Sequence, residues 1–197
     1  MPEHDPNAPP AIGERISVIG TSSTGKSTIA RHLATLIGGT HIELDALFWL
    51  PDWQESSTED FQAKVRAATT ASPRWAVSGN YFSHGILEII WANGDTVIWL
   101  DLPLRNSFPR LLHRIWRRWR DDELLWGTSR ENIRNHFKLW SNDSLPGYVL
   151  RNHRRGRHHH AAIFHDPRWQ HLRRHRLRSP FEVTRFLDQV EREAARA

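Results

Sequence analysis

Apolar residues come in short runs along this chain, separated by polar segments with helical spacing. Ile16-Ser-Val-Ile19 is almost entirely apolar, as a strand buried on both faces must be, and predicts a first strand over Arg15–Gly20. The apolar positions of Ile29-Ala-Arg-His-Leu33-Ala-Thr-Leu36-Ile37 predict a helix that Gly38-Gly39 stops. His41-Ile-Glu-Leu-Asp45 reads as a second short strand ending at a carboxylate. Ser57-Thr-Glu-Asp60 has the form of a capping box and opens a helix to about Ala71, which Ser72-Pro-Arg breaks. Trp75–Gly79 and Thr96–Leu100 are third and fourth strands, the latter followed by Asp101-Leu-Pro103. A helix from about Asn106 to Arg120 carries Phe108, Leu111, Leu112, Ile115, Trp116 and Trp119 as one apolar stripe, with Arg110, Arg114, Arg117 and Arg118 on a solvated side. Further helices follow over Asn132–Trp140, after the capping box Thr128–Glu131, and over Leu145–Phe164. Leu172–Leu177 is a fifth strand, and Ser179-Pro180-Phe-Glu182 starts the last helix.

Strands alternating with helices predict an α/β domain built on a parallel sheet, whose ligands bind at the carboxyl ends of the strands. Gly20, Asp45, Gly79-Asn80 and Asp101 all fall at such ends, so four segments converge on one site. The first of them opens Gly20-Thr21-Ser22-Ser23-Thr24-Gly25-Lys26-Ser27-Thr28, the phosphate-loop pattern G-x-x-x-x-G-K-[ST] between a strand and a helix. Its glycines let successive backbone N–H groups turn inward toward phosphate oxygens, and the following helix adds its positive N-terminus. Lys26 would reach the β- and γ-phosphates of ATP, and the Ser27 hydroxyl would sit on Mg²⁺.

At 197 residues the chain suits one domain, residues 15–197, behind a Pro-rich, polar tail over 1–14 that reads as disordered. The absence of cysteine excludes disulfides, thiolate zinc sites and a cysteine nucleophile. No apolar run is long enough to span a membrane and the N-terminus has no signal-peptide core, so a cytoplasmic protein is expected. The net charge is +5, and only three of the 27 basic residues are lysines; the basic excess lies after residue 104. Arginine grips phosphate with a planar fork, so this bias admits nucleic acid and small phosphorylated ligands alike. His158-His159-His160 is a poor metal site, because adjacent helical histidines point apart and no carboxylate keeps ligand spacing with them.

Six stretches, in order, resemble the small P-loop proteins known as topology-modulation or adenylate-kinase-related proteins, within the nucleoside-monophosphate-kinase-like superfamily. They are Gly20–Thr28, Leu44–Trp49, Gly79–Tyr81, Asp95–Pro103, Leu125–Gly127 with Arg130-Glu131, and Arg176–Pro180. The resemblance implies a three-layer P-loop NTPase fold, a five-stranded parallel sheet in the order 2-3-1-4-5 with helices on both faces. It also implies an arginine-bearing lid over about 117–134 and ATP-dependent phosphoryl transfer. On that reading Lys26, Asp45 and Arg118 are catalytic, and Arg117, Ser179 and Pro180 join the phosphate loop in holding the nucleotide. Asp45, Phe48, Gly79, Asn80 and Tyr81 would face the acceptor, and Ser27 would hold magnesium with help from Asp45 or Asp101 through water. Arg120 and Arg130 are further lid candidates. Two departures stand out: Ser78 occupies a position where family members often carry aspartate, and the arginine often found before the Ala-Asp-Thr stretch is missing from Ile89–Asp95. A monomeric kinase acting on a small molecule or nucleotide is the leading expectation. The alternatives are a nucleic-acid-associated ATPase or regulator, and a nucleotide binder without turnover.

Overall fold

The computed structural model describes residues 10–121, 124–125, 129–130 and 145–196. Five parallel strands form the sheet: β1 (Arg15–Gly20), β2 (Thr40–Glu43), β3 (Trp75–Ser78), β4 (Thr96–Leu100) and β7 (Arg173–Leu177), in the order β2-β3-β1-β4-β7. A short antiparallel pair, β5 (Leu124–Leu125) and β6 (Ser129–Arg130), stands apart from it. The three inner strands are buried along almost their whole length, which is why they are apolar runs rather than alternating ones. The edge strands β2 and β7 are the polar ones.

Period-two alternation divides the inner strands between two cores. Trp75, Val77, Val97 and Trp99 face a layer made by α3 (Thr58–Thr70), α4 (Ile86–Asn93) and α6 (Leu145–Phe164). Ile16, Val18, Ala76, Ile98 and Leu100 face α1 (Lys26–Leu36) and α7 (Pro180–Ala194). The caps read in the sequence are present: Ser57 accepts from the Asp60 N–H and Ser179 from the Glu182 N–H, each at 3.1 Å. No helix among the described residues is long and apolar enough to cross a membrane.

Several expectations need correction. β2 stops at Glu43, and Leu44–Phe48 turns into a short helix, α2, so Asp45 sits in a first helical turn rather than at a strand end. Sequence patterning missed α4 because Ile86-Leu-Glu-Ile-Ile-Trp91 is apolar nearly all round and has no polar face to set a period. The stripe of α5 (Leu104–Arg120) is only partly core: Leu111 and Ile115 are buried, whereas Leu112, Trp116 and Trp119 are about half exposed. The tail is anchored from Ala11 onward. The Ala11 N–H donates to Glu193 at 2.8 Å, the Gly13 N–H to Thr96 at 2.9 Å and the Glu14 N–H to Asp95 at 2.8 Å, with Ile12 in the core. The helix expected over Asn132–Trp140 and half of the lid expected over 117–134 lie outside the described residues.

Candidate functional site

The carboxyl edge of the sheet places the phosphate loop between β1 and α1. Gly20 has φ +150°, and a β-carbon there would come within 2.7 Å of the Leu100 carbonyl oxygen, so the first position of the loop admits only glycine. The Thr24 hydroxyl and the Lys26 ammonium both donate to the Thr21 carbonyl, at 2.8 and 3.0 Å, which folds the loop on itself. The hydroxyls of Thr21 and Ser23 are buried with no partner among the described residues, as donors meant for a ligand would be. Burial pushes the Lys26 pKa down to about 8, although Asp45 and Glu43 pull it upward.

Asn80 has a job that motif reading placed elsewhere. Its side-chain oxygen accepts the Gly20 N–H at 3.0 Å and its amide donates to the Gly20 carbonyl, so one side chain satisfies both backbone groups of the loop's first residue. It is a fastener for the phosphate loop, and it also lines the larger of the two cavities described below. Asn80→Ala is expected to cost about 1–3 kcal/mol of stability through the two stranded, partly buried backbone groups. Denaturant melts would show it, and nucleotide affinity should fall with it. Gly79 precedes it at φ +149°, where a β-carbon would run into the Leu44 side chain at 2.7 Å.

The carboxylates of the site have separate partners. The Tyr81 hydroxyl donates to Asp45 Oδ1 at 2.8 Å, and burial together with that charge drives the Tyr81 pKa strongly upward, so the phenol stays protonated. Asp101, named as a possible helper for magnesium, is instead buried and gripped by two arginines. Arg157 reaches Oδ1 at 2.6 Å and Oδ2 at 2.9 Å, and Arg176 reaches Oδ2 at 2.7 Å. Burial favours the neutral acid, but the hydrogen bonds and charges of both arginines outweigh it and hold the carboxyl below the usual range. With both oxygens so engaged, Asp101 ties α6 to the sheet and has nothing left for a metal. Glu43, which the sequence reading did not single out, accepts the Ser27 hydroxyl at 2.9 Å. Its signal in the sequence is its place at the carboxyl end of β2, the sheet edge where the phosphate loop also lies.

Two cavities meet over the loop. One, of about 700 Å³, is lined by Gly25, Ser27, Glu43, Arg114, Arg117 and Arg118. The other, of about 1110 Å³, is lined by Thr21, Asn80, Tyr81, Phe82, His153 and His160 among others. Lys26, Asp45, Ser22, Trp49, Gly79 and Leu145 border both. Arg110 also lines the smaller cavity, and Arg114 lies 3.4 Å from the Ser22 hydroxyl, so this face of α5 is turned to the loop and is not the solvated side the stripe suggested. Arg120 pairs with Asp121 at 2.7 Å, packs over Trp116 and lines neither cavity; the side chain of Arg130 lies outside the described residues. Phe48 lines neither cavity: it is core, wedged against Phe61, Tyr81 and His84. Ser179 and Pro180 also line neither, and the Ser179 hydroxyl serves as the α7 cap.

The histidine triplet makes no metal cluster, and none of three or more ligating residues exists among the described residues. His160 is buried, stacks on Trp99 and shares a 2.6 Å hydrogen bond with the Gly156 carbonyl; burial pushes its pKa down to about 4, so it stays neutral. Ser78 is buried, and its hydroxyl pairs with His41 Nε2 at 3.0 Å.

A glycine-rich loop after the central strand, a lysine folded into it, and the order β2-β3-β1-β4-β7 decide the architecture. This is a P-loop α/β fold. No protein-family model matches the chain. A curated relative, "Uncharacterized protein YqaC" of Bacillus subtilis (strain 168), is 25% identical over 129 residues, which is 65% of this chain and 71% of the relative. A solved gluconokinase from Sinorhizobium meliloti 1021 aligns over 93% of this chain and 92% of its own, at 17% identity and a TM-score of 0.48. Those two similarities identify neither substrate nor family, and the chemistry rests on the P-loop site itself.

Proposed function

We propose that the protein is an ATP-dependent phosphotransferase acting on a small hydroxyl-bearing acceptor. The observation that carries this is the meeting of two cavities at Lys26 and Asp45. A protein that only bound or hydrolysed nucleotide would need the arginine-lined cavity over the loop and no large second one across the same lysine.

In this reading the triphosphate lies in the smaller cavity. The loop N–H groups, Lys26 and the guanidinium groups of Arg114, Arg117 and Arg118 balance its charge as the γ-phosphoryl leaves ADP. The acceptor occupies the larger cavity with its hydroxyl against Asp45. Tyr81 holds Oδ1, so the second oxygen receives the proton as the acceptor oxygen bonds to the γ-phosphorus and the bridging P–O bond breaks. The products are ADP and the phosphorylated acceptor. The hard-oxygen surroundings of Ser27 suit Mg²⁺, which when bound would neutralise charge on the β- and γ-oxygens. Phosphoryl transfer asks mainly for position and charge, and the residues present supply both.

A thermal-shift screen of nucleosides, nucleotides, sugars and aminoglycosides with a non-hydrolysable ATP analogue, followed by ADP release with ATP, tests the proposal. Compounds that shift the melt should stimulate ADP release. If every class leaves both unchanged while the analogue still binds, the protein is a nucleotide binder without transfer.

Lys26 makes a separate prediction about pH. A pKa near 8 in the free protein must rise when phosphates arrive, so nucleotide binding takes up a proton above that pH. Affinity should hold steady below pH 8 and fall by up to about tenfold per unit above it. Calorimetry at pH 8.5 in buffers of different ionisation enthalpy measures the uptake, and proton release would contradict contact between Lys26 and phosphate.

A further inference from the structure

We propose that Glu43 is the carboxylate that serves the nucleotide's divalent cation, supplied from the end of β2 to the Ser27 hydroxyl. The proposal rests on the reading of the phosphate loop as a magnesium–nucleotide site. Three other positions at this sheet edge could have done the work, and each is occupied. Asp101 has both oxygens in the grip of Arg157 and Arg176. Asp45 is tied to Tyr81 and stands where the two cavities join. Ser78 carries no charge, is buried, and is spent on His41.

Glu43 has the geometry these lack. It lines only the smaller cavity, together with Ser27, Lys26 and the arginines of α5. Ser27 donates its proton to Glu43 Oε1 at 2.9 Å, which leaves the lone pairs of the hydroxyl oxygen for a cation. Magnesium keeps several of its waters and takes one or two carboxylates beside substrate phosphates, so one glutamate next to one hydroxyl is the complement it needs.

The sheet register explains why the charge sits on β2. Glu43 is the ladder partner of Ser78, and paired residues of neighbouring parallel strands lie about 5 Å apart on the same face. His41, two residues earlier on β2, shows that face directly by reaching Ser78. A carboxylate at 43 therefore overlooks the same space as one at 78 would. The register thus lets β2 supply a carboxylate where β3 offers only the uncharged Ser78.

Calorimetric titration with adenylyl imidodiphosphate, with and without Mg²⁺, tests the assignment in wild type, Glu43→Gln and Glu43→Asp. Glutamine is isosteric and can still accept the Ser27 hydrogen bond, so the fold is kept. Magnesium should strengthen wild-type binding, and Glu43→Gln should lose about tenfold of that strengthening. Its metal-free affinity should be unchanged or higher, because a negative charge beside the phosphates has gone. Glu43→Asp should keep the metal's effect within a few-fold. The assignment is overturned if Glu43→Gln retains the wild-type magnesium dependence, or if it loses metal-free binding to the same extent. A wild-type protein that binds the analogue under neither condition would instead sink the phosphate-loop reading, leaving the two failures distinguishable.

Discussion

Lys26→Ala is expected to abolish the rise in melting temperature that ATP with Mg²⁺ gives the wild-type protein. A ligand at a hundred times its Kd, bound only by the folded state, adds about 2.7 kcal/mol of stability. For a chain of this size that is a shift of roughly 5–10 °C. Lys26 is the cation common to both cavities, folded onto the Thr21 carbonyl at 3.0 Å until a phosphate competes for it. Its removal costs the free protein little, because burial already disfavours its charge. The loss should therefore appear in the liganded melt and scarcely in the unliganded one. A variant that still gains several degrees with ATP would mean that the nucleotide binds elsewhere.

Asp45→Asn is expected to lower acceptor-stimulated ADP release by about 10²-fold or more while leaving ATP affinity within a few-fold. Asparagine keeps the shape and still accepts the Tyr81 hydroxyl, so only the charge and the proton-accepting oxygen are lost. The comparison belongs near pH 7. Asp45 is the strongest influence holding the Lys26 pKa up, and at higher pH its loss would weaken nucleotide binding for a separate reason. If Asp45 merely supports the first turn of α2, the change costs no more than about 1 kcal/mol of stability and turnover survives. Near wild-type transfer in a folded Asp45→Asn protein would remove this carboxylate from the reaction.

Local chemistry made much of this protein legible from its residues alone. The buried strands are apolar runs because both faces are covered, and the phosphate loop is a contiguous pattern whose glycines and lysine act within nine residues. Ser57 and Ser179 cap helices through hydrogen bonds spanning three residues. Each of these signals is short in range, and tertiary context had no occasion to override it.

What the sequence left open is the choice of partner among groups far apart in the chain. Asp101 and Glu43 are both acidic residues near the carboxyl edge of the sheet; packing gave one to two arginines, the nearer lying 56 residues away, and left the other beside Ser27. Asn80 fastens Gly20 across 60 residues, which no local pattern encodes. The face of α5 that meets the loop was equally hidden, because a stripe of leucine and tryptophan fixes the period of a helix but not which side finds a neighbour. Propensity and pattern decide conformation residue by residue, whereas the register of parallel strands and the docking of helices on them decide which side chains meet. Side chains that meet set the charge, hydrogen bonding and access of the site.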